Sequence, residues 1–220
     1  VTLMKRDAGM DTGGSREIRK TPIGEEETAG ELGVRLGELG ATAVRESLPR
    51  YVRGELPATP QDHEHATTAP LLEKEMGVID WSKSSREVHD HVRGMNPWPM
   101  AFTFLERGQL APSGPSGHSP VGGSPGGSPR EGGAAPLSPL RNNRIRGIVH
   151  RTNNVEGSVG RPVAPGEVVL ADKTRVVVAC GSGLVSLERV QLEGRKPITA
   201  AEWFLGRGIA EGERLGATQE

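Results

Sequence analysis

Arg175-Val176-Val177-Val178-Ala179-Cys180 and Leu184-Val185-Ser186-Leu187-Glu188-Arg189-Val190-Gln191-Leu192, joined by Gly181-Ser182-Gly183, decide the fold. Both runs are rich in β-branched and other apolar residues, and turn-forming residues separate them, so they predict two strands of a hairpin. Outward from this pair, residues 167–171 and 145–151 read as strands on the amino side, and Ala101–Glu106 makes a fifth. Five short strands with Gly-rich turns predict an all-β, OB-like Greek-key barrel. Beyond them, Thr199-Ala200-Ala201-Glu202 has a capping residue followed three positions later by Glu, so a covering helix is expected over the barrel through Trp203, Phe204 and Leu205. Cys180, the single cysteine, sits in the apolar run and reads as a small core residue, since a reactive thiolate needs an electropositive, partly exposed site.

Between Gly108 and Leu140, 22 of 33 residues are Gly, Pro or Ser, too little apolar surface to offset chain entropy. Residues 108–143 are therefore expected to be a disordered insertion lengthening one barrel hairpin. Upstream, Ser84-Ser85-Arg86-Glu87 opens a short helix with Val88, Val92 and Met95 on one face, and Asn96-Pro97-Trp98-Pro99 ends it in a rigid turn with a projecting indole. Further upstream, Thr28-Ala29-Gly30-Glu31 starts a longer helix with Leu32, Leu36, Leu39 and Ala43 on one face. Gly33, Gly37 and Gly40 weaken it, so it is expected to depend on packing against a sheet. Residues 47–54 read as its end and 49–76 as a Pro-rich connector. Val1-Thr2-Leu3-Met4 reads as a strand already inside a fold, from which a missing amino-terminal portion is expected.

The net charge of −1 hides an asymmetry: residues 1–110 carry 14 basic and 18 acidic side chains, residues 141–220 carry 12 and 9. The basic excess at the carboxy end allows nucleic-acid contact without requiring it. No apolar run reaches the roughly 18 residues of a membrane-spanning helix, so no membrane contact is expected, and a monomeric cytoplasmic protein is the default. His63-Glu64-His65 and His89-Asp90-His91 read as solvated surface and not as metal ligands, because i,i+2 spacing suits a strand and the second pair lies on a helix.

Met4-Lys5-Arg6-Asp7-Ala8-Gly9-Met10-Asp11-Thr12-Gly13 resembles the Met-x-x-Asp-x-Gly-x-Asp-Thr-Gly loop of formyltransferases that use 10-formyltetrahydrofolate. Pro60-Gln61, Thr67-Thr68-Ala69-Pro70, Ile79-Asp80-Trp81-Ser82, Val92 through Pro99 and Gly194 through Glu202 resemble, in order, the linker and carboxy-terminal domain of the methionyl-tRNA formyltransferase family. The resemblance implies three parts: residues 1–56 as an α/β fragment, the end of a Rossmann-like catalytic domain; 57–77 as a linker; and 78–210 as the OB-like tRNA-binding domain. It implies transfer of a formyl group from 10-formyltetrahydrofolate to methionyl initiator tRNA, with no metal. Asp11 matches the family's catalytic Asp, and Asp7, Gly9, Thr12 and Gly13 shape the folate-pocket loop.

The family's upstream Asn-x-His and Ser-Leu-Leu-Pro segments have no counterpart here; residues 47–54 mimic the latter but follow the loop instead of preceding it. Asp11 without that context is also a common turn closer beside Gly. Arg141, Arg144, Arg146 and Arg151, four arginines in 11 residues without an acid, are the expected phosphate contacts, with Arg195 and Lys196. The same charges would also guard barrel edges against strand pairing. A stand-alone RNA-binding module without chemistry is the other function these residues allow.

Overall fold

The computed structural model describes residues 1–9, 11–106 and 144–216. The expected insertion at 108–143 lies outside them, as does Arg141. In the front segment, β1 (Thr2–Met4) pairs antiparallel with β2 (Ser15–Ile18), and Ser15 and Thr59 exchange backbone hydrogen bonds of 2.9 and 2.8 Å that lay the following chain beside β2. Helix α1 (Ala29–Val52) starts at the Thr28 capping box, in which the Glu31 amide donates to the Thr28 hydroxyl and the Thr28 amide to the Glu31 carboxylate. It continues through Pro49 to Val52, so the connector is shorter than the proline suggested. Leu32, Leu36 and Leu39 are half-buried and Ala43 is fully buried, as their spacing predicts, whereas Val34, Leu48 and Val52 on the other side remain exposed.

The second part is a nearly closed barrel. Strands β3 (Ala101–Glu106), β4 (Arg144–Val155), β5 (Val168–Ala171), β6 (Val176–Ala179), β7 (Leu184–Leu192) and β9 (Arg214–Gly216) run in the order β5-β6-β7-β4-β3-β9, every pairing antiparallel. A short β8 (Ile198–Thr199) adds to β7. The run β4-β7-β6-β5, three hairpin-connected strands with β4 beside the last, is a Greek key. β9 then returns to the chain entering β5: the Leu215 amide donates to Gly166 O at 2.8 Å and the Val168 amide to Glu213 O at 2.9 Å. Gly166 has φ +84, and a Cβ there would lie 2.0 Å from Leu215 O, so the seam requires glycine.

β6 is buried on both faces. Val176 and Val178 enter the main core with Leu105, Val149, Leu187 and Leu215, while Val177 and Ala179 join Leu184 in a smaller cluster against Val159, Val163 and Leu170. Full burial of each such aliphatic side chain stabilises by about 1.5–3 kcal/mol. Cys180 belongs to the main core, and burial pushes its thiol up to about 12, which keeps it protonated and unreactive at neutral pH. Helix α2 (Ser85–Gly94) uses the Ser84 capping box and buries Val88 and Val92 against β4 and β7. Helix α3 (Ala200–Leu205) uses the Thr199 box and buries Ala200 and Trp203. Leu205 corrects the expectation: it is exposed, because a six-residue helix presents only one turn to the barrel.

His89 is a second correction, being buried at 3% exposure. Its Nε2 lies 3.2 Å from Glu25 O and its Nδ1 3.2 Å from Thr152 Oγ1. A carbonyl only accepts, so Nε2 carries the hydrogen and, in the neutral ring, Nδ1 accepts from the threonine. Nearby, Arg93 donates to Gly24 O and Glu27 O, both at 3.1 Å, and the Gly30 amide donates to Asn96 O at 3.0 Å. The Glu27 carboxylate, bonded by the Arg35 guanidinium and the Gly24 amide, is held down at about 2. These contacts dock the turn before α1 onto α2 and β4, and so set the front segment against the barrel.

Candidate functional site

The turn between β1 and β2 is built from its own side chains. Asp7 Oδ1 accepts from the Thr12 hydroxyl at 2.5 Å and the Gly9 amide at 3.1 Å, and the Thr12 hydroxyl, then the Gly9 amide, hold the Asp7 carboxyl below its ordinary value. Gly13 passes so close to β1 that a Cβ would lie 1.7 Å from Lys5 O. Gln61 closes the loop from outside, its Nε2 donating at 2.7 Å to both Asp11 O and Gly13 O. Asp11 adopts φ +53, a left-handed conformation that costs a non-glycine residue free energy and persists where its surroundings hold it.

The two aspartates therefore differ. Asp7 is spent on loop shape. The Asp11 carboxylate has no hydrogen-bond or ion-pair partner among the described residues, and Asp11 lines a cleft of about 560 Å³ with Thr12, Ser15, Thr59, Gln61 and His63. An exposed carboxylate on a backbone fixed from both sides can order a water or hold an imidazole protonated beside a reacting amine. The structure thus brings Asp7, Gly9, Asp11, Thr12 and Gly13 into one loop.

The expected basic residues do not converge as closely. Arg146 is half-buried, with its guanidinium 4.0 Å over the Phe102 ring and its buried Nε without a hydrogen-bond partner among the described residues, so it is partly committed to the barrel. The Glu193 amide donates to Arg146 O, which brings the exposed Arg195 and Lys196 of the β7–β8 hairpin to the same end of β4. Arg151 is exposed further along β4, directly opposite Arg189 on β7. The side chain of Arg144 lies outside the described residues.

Sequence reasoning missed Arg189 and the role of Gln61. Arg189 sits 38 positions from Arg151, and only the β4–β7 register joins them. Gln61 lies 50 residues from Asp11, and its one sequence signal was the Pro60-Gln61 pair. Among the described residues no three His, Cys, Asp or Glu side chains are grouped to hold a metal ion, and no helix is long and apolar enough to cross a membrane.

A built loop whose Asp11 carboxylate is unpartnered among the described residues is set ahead of a nearly closed Greek-key barrel. Residues 71–111 and 139–208 match the family described as formyl transferase, C-terminal domain. The chain belongs to the formyltransferase family. It is 42% identical over 216 residues to a methionyl-tRNA formyltransferase of Sorangium cellulosum and 35% identical to one of Acetivibrio thermocellus, in each case over 98% of this chain. The chain spans only 58% and 57% of the length of these relatives. Among solved structures, HypX from Aquifex aeolicus superposes with a TM-score of 0.57 at 18% identity, covering 96% of this chain and 32% of HypX, a likeness of fold.

Proposed function

We propose that this chain supplies the reaction loop and the tRNA-binding domain of a cytoplasmic, monomeric methionyl-tRNA formyltransferase. In that reaction the amino nitrogen of methionine on initiator tRNA attacks the formyl carbon of 10-formyltetrahydrofolate. The new C–N bond forms as the bond to the folate nitrogen breaks, and the proton lost from the amine is passed on to that nitrogen. The observation that carries the reading is the Asp11 carboxylate, unpartnered among the described residues, on a loop fixed by Asp7 and Gln61 in a chain of this family. Residues 1–56 act as the end of the Rossmann-like domain, 57–77 as the linker and 78–210 as the OB-like tRNA-binding domain. Asp11 serves as proton relay, with oxyanion donors supplied by groups other than those of residues 1–220. A stand-alone RNA-binding module is the weaker reading, since it leaves the built loop at 7–14 without a purpose.

The reading is tested by joining residues 1–220 to the portion of the Sorangium cellulosum relative that precedes the matched region. The joined protein should formylate methionyl-tRNA with 10-formyltetrahydrofolate, whereas 1–220 alone should not; a joined protein that folds, binds folate and transfers nothing would reject it.

A separate measurement concerns the barrel. Each arginine that contacts a phosphate releases counterions, so removing one flattens the plot of log affinity against log salt by roughly one unit. Arg151→Ala and Arg189→Ala are each expected to do this to tRNA binding by 1–220. Arg146→Ala should lower barrel stability more than it changes the slope, because its guanidinium covers Phe102. Unchanged slopes for both Arg151→Ala and Arg189→Ala would remove this face from tRNA binding.

A further inference from the structure

We infer that Gln61 is a positioning residue for Asp11, the residue that holds the reaction loop in its working conformation; the inference rests on the function proposed for Asp11. The geometry is specific. The Gln61 carboxamide has two N–H bonds, and they meet two carbonyls, Asp11 O and Gly13 O, each at 2.7 Å. These carbonyls flank Thr12, the residue whose hydroxyl is tied to Asp7. The loop is therefore gripped at three successive residues, from inside by Asp7 and from outside by Gln61.

Gln61 can do this because its own backbone is anchored. Two residues earlier, Thr59 exchanges hydrogen bonds with Ser15 on β2, so the 59–61 stretch is tied to the same sheet that carries the loop. Asp11 at φ +53 lies in a region that an L-residue leaves unless held. Relaxation to negative φ would swing the Cα–Cβ bond and carry the carboxylate away from its place in the cleft. The common near-substitutes lack part of this: Asn is one methylene short, Glu offers carbonyl oxygens a negative charge in place of donors, and an apolar residue of equal length offers no N–H.

The test uses the joined enzyme described above and the chain 1–220. In the joined enzyme, Gln61→Met should lower kcat by about 100-fold, the scale of a small misplacement of a reacting group, while KM for each substrate stays within about threefold. In an Asp11→Asn background, Gln61→Met should add no further loss, because a residue acting only through Asp11 has nothing left to position. A full additional loss there would show that Gln61 touches substrate or acts elsewhere, and would overturn the inference. Normal turnover of Gln61→Met beside a slow Asp11→Asn would overturn this inference alone; normal turnover of Asp11→Asn would overturn the role proposed for Asp11 and the inference with it.

A second readout needs no activity. A residue with positive φ gives a strong NOE between its own amide and α protons, so 1–220 should give that signal at Asp11 and lose it in Gln61→Met. Its retention in the folded variant would overturn the inference.

Discussion

Asp11→Asn in the joined enzyme is expected to lower turnover by about 10²–10⁴-fold, the usual contribution of a positioned proton-transfer group, while tRNA affinity stays within about twofold. The substitution keeps size, and the backbone contacts that hold the loop go to Asp11 O, which Asn retains. Loop shape is carried by Asp7 and Thr12, neither of which is touched. The change therefore removes a carboxylate and little else. tRNA affinity is expected to hold because the proposed contacts, Arg151, Arg189, Arg195 and Lys196, lie on the barrel. Single-turnover formylation, measured with saturating folate donor, isolates the chemical step. Turnover within about threefold of the parent would return Asp11 to the role of a turn residue beside Gly13.

The local rules wrote most of this fold into the sequence. Among the described residues the three α-helices begin at the residues whose side chains can cap them, because a capping box satisfies two amide donors within four residues and needs no distant partner. The barrel strands from Ala101 to Leu192 were legible for a similar reason: runs such as 176–179 are apolar at every position and leave no alternative to burial. β8 and β9 were not legible. They span two and three residues, below any periodicity, and exist only because β7 and β3 offer them an edge. His89 was misread because i,i+2 spacing on a helix separates two side chains without saying what either meets; its partners Glu25 and Thr152 are 64 and 63 residues away. At the site, the Asp-x-Gly-x-Asp-Thr-Gly spacing located the loop, and Asp7 could be assigned to its shape. The Gln61 clamp and the Arg151–Arg189 pair depend on chain approach across 50 and 38 residues, which a single sequence does not express.

Trp81→Ala is expected to destabilise the barrel by about 3–5 kcal/mol, the cost of truncating a buried aromatic. Trp81 is 4% exposed in the main core, and its Nε1 donates at 2.9 Å to Thr103 Oγ1, which in turn donates at 3.1 Å to Gly216 O. The indole thus joins three elements: the chain leading into α2, strand β3, and β9, whose return closes the barrel. Trp81→Phe separates the two contributions. It keeps most of the apolar volume and loses the N–H donor, and Thr103 still has Gly216 O to bond, so a loss of only about 1 kcal/mol is expected. A domain of this size commonly has about 5–15 kcal/mol in total, so the alanine variant should show a markedly lower urea midpoint by circular dichroism. It should also show faster amide exchange at Leu215, whose hydrogen bond to Gly166 O belongs to the seam that Thr103 supports. An unchanged midpoint would mean that the barrel does not depend on this indole. A lowered midpoint with Leu215 still protected would place the damage in the core, leaving the closure intact without the Trp81–Thr103–Gly216 chain.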